Sequence, residues 1–244
     1  MNFEEKEKTI LIYGASGFVG ENLFASINKK VKYKVIPINR NTPLINIPDN
    51  PYLIIHSANP ARRFFANNNP QIDFIETVEK TKTIFERHLN SRKILISSIS
   101  CRTEARTPYG GNRLNCEKIA LKYDSSIIRL GPMYGGSRTK DTLHDICSGE
   151  NVYLSGDTKY AYVNVNWIAN YISDFLHEFS KKNIYEIGAS TTVKLSDIAD
   201  KVKSQSSFIG KNDNQYPLNF KDGPKAELVF DYALKISREI KESI

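Results

Sequence analysis

Tyr109 and Arg113 stand four residues apart in 108-PYGGNRLNCEKIA-120, a stretch that reads as a helix. At that spacing two helical side chains share one face. A free phenol has a pKa of about 10 and exchanges protons poorly near neutrality. A fixed cation beside it favours the phenolate and makes it a usable general acid/base. Arginine supplies such a charge permanently. The same pair would also suit a surface helix on which Tyr109 merely stacks on Arg113, so the surrounding chain has to decide.

A second chemically suggestive stretch is Gly14-Ala15-Ser16-Gly17-Phe18-Val19-Gly20, between an apolar run and a helix. Glycine is required where the chain turns sharply, where backbone approaches a pyrophosphate and where helix packs on strand. The helix N-terminus adds unpaired N–H groups and positive dipole. Three glycines could also form a tight turn that binds nothing. Their place at the first strand–helix junction points to a dinucleotide held by Gly14, Ser16, Gly17, Phe18, Val19 and Gly20. An acid ending the second strand would favour NAD, and an arginine there accommodates the 2′-phosphate of NADP. This chain has Asn39-Arg40 and no acid before Asp49. A guanidinium matches a phosphate in geometry and charge, so NADP(H) is expected over NAD(H). The alternative is that Arg40 is a solvated loop residue.

These residues need elements to place them. Strand-length apolar runs at 9–13, 33–39, 52–57, 93–98, 125–130 and 185–188 alternate with helical patterns. Helices are expected from the glycine loop to Ile27, over 71–89, 109–123, 166–180 and 194–204, and in the final DYALKISREIKESI. Unbroken apolar strands alternating with helices imply right-handed βαβ crossovers. The predicted class is a Rossmann-like, doubly wound parallel α/β sheet. Only 12 residues separate Asn39 from Tyr52, with Pro43, Pro48 and Pro51 among them. A parallel crossover needs about a dozen residues, usually with a helix, and proline breaks helices. A trimmed loop with little or no helix is expected there. The pattern turns irregular at 137–165 and 206–230, which suggests a small, reduced C-terminal substrate lobe. One domain over 1–244 is expected, with about 1–135 plus 160–188 as cofactor-binding core and about 136–159 and 189–230 as lobe.

The 244 residues carry 34 basic and 27 acidic side chains, a net charge of +7, and are 40% hydrophobic. That content suffices for one substantial core. The basic residues are scattered, with no stripe interleaved with aromatics, so no nucleic-acid partner is expected. Three cysteines without a CxxC pair imply reduced thiols. The four histidines share no ligand spacing, and no metal is expected. The charged start and the lack of a long apolar segment imply a cytoplasmic protein without a membrane partner.

The order of motifs resembles the extended branch of the short-chain dehydrogenase/reductase family, the nucleotide-sugar epimerases, dehydratases and reductases. The GxxGxxG loop is followed by His56-Ser57-Ala58, Pro70 ahead of a long helix, Ser97-Ser98 ending a strand, then Tyr109. Arg129-Leu-Gly-Pro-Met-Tyr134-Gly135, Tyr162-Val-Asn-Val165 and Tyr185-Glu-Ile-Gly188 continue the match, which spans about residues 9–200. The resemblance implies Tyr109 as acid/base, Ser98 as partner of the reacting oxygen, and Arg113 in the position of a lysine that binds the nicotinamide ribose. It implies cofactor contacts from Asn39, Arg40, His56, Ala58, Gly131 and Pro132. His56 could equally end a buried strand. Ser98 and Tyr109 are 11 positions apart, Cys101-Arg102-Thr103 replaces the family's Tyr-Gly, and Pro132 replaces an asparagine. Arg102 and Arg138 are candidates for the substrate's diphosphate, or else solvated loop residues. Trp167 reads as a packing residue.

The expected activity is reduction of a keto sugar carried on a nucleotide, or epimerisation through one, with dependence on NAD(P). A homodimer is open. The rival expectation is an NADP-binding regulator with little or no catalysis, suggested by arginine at 113.

Overall fold

The structure is a computed structural model that describes residues 8–242. The chain runs β1 (Lys8–Tyr13), α1 (Phe18–Ile27), β2 (Tyr33–Ile38) and β3 (Leu53–His56). Helices α2 (Arg63–Asn68), α3 (Pro70–Phe74) and α4 (Lys80–Arg87) lead to β4 (Arg92–Ser98). Then come α5 (Ser100–Thr103), α6 (Pro108–Lys122), β5 (Ser126–Leu130), β6 (Met133–Tyr134) and α7 (Thr142–Ser148). The remainder is β7 (Lys159–Tyr160), β8 (Val163–Asn164), α8 (Val165–Asp174), α9 (Leu176–Phe179), β9 (Ile184–Ile187), β10 (Val193–Lys194), α10 (Leu195–Val202) and α11 (Val229–Glu242).

Six strands make the main sheet in the order β2-β1-β3-β4-β5-β9. The pairs β1–β2, β1–β3 and β3–β4 are parallel. Tyr13 lies opposite both Ile38 and His56, so the carboxyl ends of β2, β1 and β3 are level. The chain leaves β1 to one side for β2 and returns to the other for β3. That reversal is the switch point of a doubly wound sheet, where such folds bind ligands. Ile10, Leu11, Ile12, Leu53, Ile54 and Ile55 are wholly buried; each large aliphatic side chain so placed contributes about 1.5–3 kcal/mol.

The 39–52 connection is the expected trimmed loop, with a single 3-10 turn at Leu44–Asn46. The expected helix over 71–89 is interrupted by a π turn at Ile75–Glu79. The extra residue in that turn shifts which side chains face inward. Val78, Ile84 and Phe85 are buried as their spacing implies, whereas Ile72 and Ile75 are half exposed and Asp73 lies inside. The helix expected over 166–180 is broken at Phe175, which leaves the αR region at φ −102°, ψ 24°. Helices α2, α5 and α7 were not expected.

The chain divides into two compact units, 1–129 with 169–185, and 130–168 with 186–244. In the second, β6 pairs with β8 and β7 with β10, and α7, α10 and α11 pack together. Trp167 meets Phe220 edge-on at 6.4 Å, a packing role. Among the described residues no helix is long and apolar enough to cross a membrane, and no group of three or more His, Cys, Asp or Glu could hold a metal. All three cysteines are buried, and none forms a disulfide.

Candidate active site

The glycine loop leaves β1 at the switch point. Gly14 has φ +79°, and a Cβ there would lie 2.6 Å from the Ala58 Cα, so two backbones meet where a side chain cannot fit. A Cβ on Gly20 would lie 2.0 Å from the Gly14 carbonyl oxygen, which holds α1 against the end of β1. Gly17 is the N-cap of α1, with no side chain over the helix end. Ser16 is exposed, and Phe18 and Val19 are half-buried.

Beside the loop, β2 ends in an exposed turn. Asn39 Oδ1 accepts from the Asn41 N–H and the Thr42 hydroxyl. The Arg40 side chain is 81% exposed and pairs with Glu76 at 3.2 Å. Glu76 also takes Lys80 at 2.6 Å, and that bond first, with both cations, holds its carboxyl below the usual range.

On the other side of β1, His56 is wholly buried. Its Nε2 bonds the Thr81 hydroxyl at 3.0 Å and its Nδ1 accepts from the Ala58 N–H at 3.3 Å. Burial, with Lys80 and Arg113 nearby, lowers its pKa to about 3, so the ring is neutral. Both nitrogens are thus spent within the protein, one of them fixing the turn that carries Ala58.

Helix α6 presents the proton-handling candidates. Thr107 caps it by accepting from the Gly110 N–H, and Pro108 occupies the first turn. Gly110 has no room for a Cβ, which would lie 2.1 Å from the Glu104 carbonyl, so α5 and α6 are closely packed. Tyr109 is 5% exposed, and the Arg113 guanidinium lies over its ring, 4.5 Å from the centroid. Arg113 is 3% exposed; its Nη2 donates to the Pro60 carbonyl, while Nη1 is buried without a partner. The expected Tyr109–Arg113 pair is therefore a stacked pair, turned inward rather than displayed on a surface.

Residues without a spacing signal complete the surroundings. Arg63 places its guanidinium 5.8 Å from the Tyr109 ring centroid, donates to the Ser100 hydroxyl at 2.9 Å and pairs with Glu104 at 3.5 Å. The Tyr109 N–H donates to Asn67 Oδ1. Ser98 Oγ accepts from the Ser100 N–H at 3.2 Å and is not hydrogen-bonded to Tyr109. Beneath lies a buried network: Glu117 accepts from Ser97 at 2.6 Å, Cys101 at 3.0 Å and the Arg129 fork at 2.7 and 3.0 Å. It ties the end of β4 to α5, α6 and β5. A cavity of about 500 Å3 lies at the first turns of α3 and α6, lined by Pro70, Phe74, Arg106, Pro108 and Asn112 among others, and does not include the glycine loop.

Arg102 is exposed in the first unit. Gly131, Pro132 and Arg138 belong to the second. The Gly131 N–H donates to Ile187, the Pro132 carbonyl accepts from Val163, and Arg138 pairs with Asp141 at 3.8 Å.

No protein-family model matches the chain, and no curated protein matches it by sequence. Solved structures do. A UDP-glucuronic acid 4-epimerase from Bacillus cereus, solved with UDP-glucuronic acid and NAD, matches with TM-score 0.73 and 17% identity over 97% of this chain and 100% of that one. A dTDP-4-dehydrorhamnose reductase from Bacillus anthracis, solved with NADP, matches with TM-score 0.73 and 14% identity over 95% and 99%. The chain has the fold of these extended short-chain dehydrogenase/reductase proteins. An NAD-dependent NDP-hexosamine 5,6-dehydratase of tunicamycin biosynthesis shares it too, with TM-score 0.72 and 14% identity over 97% and 98%.

Proposed function

We propose that the chain binds NADP(H) and reduces, or epimerises through, a keto form of a nucleotide-linked sugar. The observation that carries this reading is the Tyr109–Arg113 stack on α6, in a unit whose glycine loop opens at the sheet's switch point. The cradle suits a dinucleotide: Gly14 and Gly20 leave no room for side chains, and Arg113 Nη1 is a buried donor awaiting an acceptor. Gly14, Ser16, Gly17, Phe18, Val19 and Gly20 would hold the pyrophosphate, Arg40 the 2′-phosphate, and Ala58 and Arg113 the far half. Gly131 and Pro132 are proposed as further contacts.

A bound nicotinamide supplies hydride exchange with a sugar carbon. Tyr109 would hold or release the proton of the sugar hydroxyl, and Ser98 would orient that oxygen. Arg113 and Arg63 lie 4.5 and 5.8 Å from the Tyr109 ring centroid and hold the ring in place by cation–π contact. Arg102 and Arg138 are proposed as separate candidates for contact with the substrate's diphosphate. Tyr109→Phe should keep cofactor binding and remove turnover by a factor of about 100 or more. An NADPH oxidation assay over nucleotide-linked keto sugars checks this, and full activity in the variant would reject the assignment.

One observation favours a second reading, a cofactor-binding regulator. Arg113 already spends Nη2 on Pro60, which limits its freedom to act as lysine would. That reading expects NADPH binding without turnover, and activity rising from an undetectable baseline in Arg113→Lys.

A further inference from the structure

Buried polar groups in native proteins nearly always have partners, and an unpartnered one is expensive. Here two neighbouring side chains break that rule. Asn59 has both amide atoms, Oδ1 and Nδ2, buried without a hydrogen bond, and Arg113 Nη1 is in the same state. The two are linked through one residue, because Arg113 Nη2 donates to the carbonyl of Pro60, which follows Asn59. Asn59 itself follows Ala58, whose backbone touches Gly14. Asn59 thus lies on the turn that leaves β3, at the switch point, and Arg113 reaches that turn from α6, where it stacks on Tyr109.

Their chemistry defines what they would take. Asn59 offers an acceptor and a donor, and Arg113 offers donors only. A phosphate would suit Arg113 but would face Asn59 Oδ1 with another acceptor. A neutral group carrying an adjacent donor and acceptor satisfies all three atoms. Three parts of a nicotinamide dinucleotide fit this description: the ribose diol next to the nicotinamide, the carboxamide, and the adenine edge. The position on the β3 side of β1, opposite Arg40 on β2, selects the nicotinamide half over the adenosine half.

We propose that Asn59 is a cofactor-binding residue which, with Arg113 Nη1, receives the neutral hydrogen-bonding face of the nicotinamide half. This rests on the NADP(H) reading above. In that pairing Asn59 supplies the contact that Arg113, held by Pro60, makes only in part. The unpartnered amide is also a cost that ligand binding relieves.

Titration calorimetry of wild type, Asn59→Ala and Asn59→Leu with three ligands tests the proposal. NADPH should bind the variants about 5- to 30-fold more weakly. 2′,5′-ADP, which lacks the nicotinamide half, should bind all three proteins alike. An equal loss with 2′-phospho-ADP-ribose assigns the diol; a loss confined to NADPH assigns the carboxamide. The unligated variants should melt at the wild-type temperature or a few degrees above it, since an unsatisfied amide is removed. Unchanged NADPH affinity in both variants, as an internal water partner would give, overturns the proposal. So does an equal weakening of 2′,5′-ADP. Failure of wild type to bind any of the ligands overturns the cofactor reading itself, and Asn59 with it.

Discussion

Among the described residues no carboxylate pairs with Arg113; a carbonyl and the face of Tyr109 receive its charge. Glu117 one turn further along α6 is the opposite case, a 2%-exposed carboxylate clasped by the Arg129 fork, Ser97 and Cys101. Removing one member of a buried pair leaves the other charge uncompensated. Glu117→Gln should therefore cost about 3–5 kcal/mol of stability, measured as a fall in the denaturation midpoint, and should disturb the end of β4 where Ser98 sits. A near-neutral result would mean that Arg129 finds water instead. The Tyr109–Arg113 contact and the tight glycine loop were legible in the sequence because each depends on spacing along one element. Arg63, Asn67 and Asn59 were not. They lie in the connection after β3, and what they touch is decided by folding. The one trace of Arg63 in the sequence was a basic residue soon after the β3 turn.

At the scale of elements, the π turn sets the partners of Arg40. It presents Glu76 outward toward the β2 turn, while Thr77 and Thr81 face the interior, Thr81 bonding His56. On the proposed NADP(H) reading, Glu76 would compete with the 2′-phosphate for the Arg40 guanidinium. An exposed pair of this kind is worth about 0.2–1 kcal/mol. Glu76→Gln should then tighten NADPH binding roughly 1.5- to 5-fold, less at high salt, and leave NADH binding unchanged. Parallel fluorescence titrations of both nucleotides check it; equal gains for both would dissociate Arg40 from the phosphate. The π turn was illegible because periodicity reads a helix as uniform, and one added residue shifts every later position. Helix α7 is different. Asp141 caps it by accepting from the His144 N–H, and Gly149 ends it at φ +79°. Both signals stand in the sequence, but its mixed composition between glycine-rich turns masked them. The main strands were legible throughout because a strand covered on both faces reads as an unbroken apolar run.

For the molecule as a whole, burial of neutral histidine couples the site to folding. His56 sits between β3 and α4 with its pKa lowered to about 3, by burial first and then by Lys80 and Arg113. His88, bonded to the Tyr13 hydroxyl at 2.7 Å, is also shifted down, again mainly by burial. In the unfolded chain a histidine titrates near 6.5. As pH falls below that value the unfolded state takes up protons that the folded state refuses, so stability declines from about pH 6.5 toward pH 3. Above pH 6.5 neither state binds the proton and the effect vanishes. His56 alone should remove about 2 kcal/mol between pH 7 and pH 5. His56→Gln should lower stability at pH 7, because the bonds to Thr81 and the Ala58 N–H are disturbed, and should flatten the loss toward pH 5. Urea midpoints of the two proteins at both pH values measure the difference. Parallel slopes would place the acid sensitivity elsewhere. Because the same ring fixes the Ala58 turn against Gly14, acid that opens this region should release bound cofactor before the sheet as a whole unfolds. Cofactor fluorescence should then change at a higher pH than the far-ultraviolet signal of the sheet.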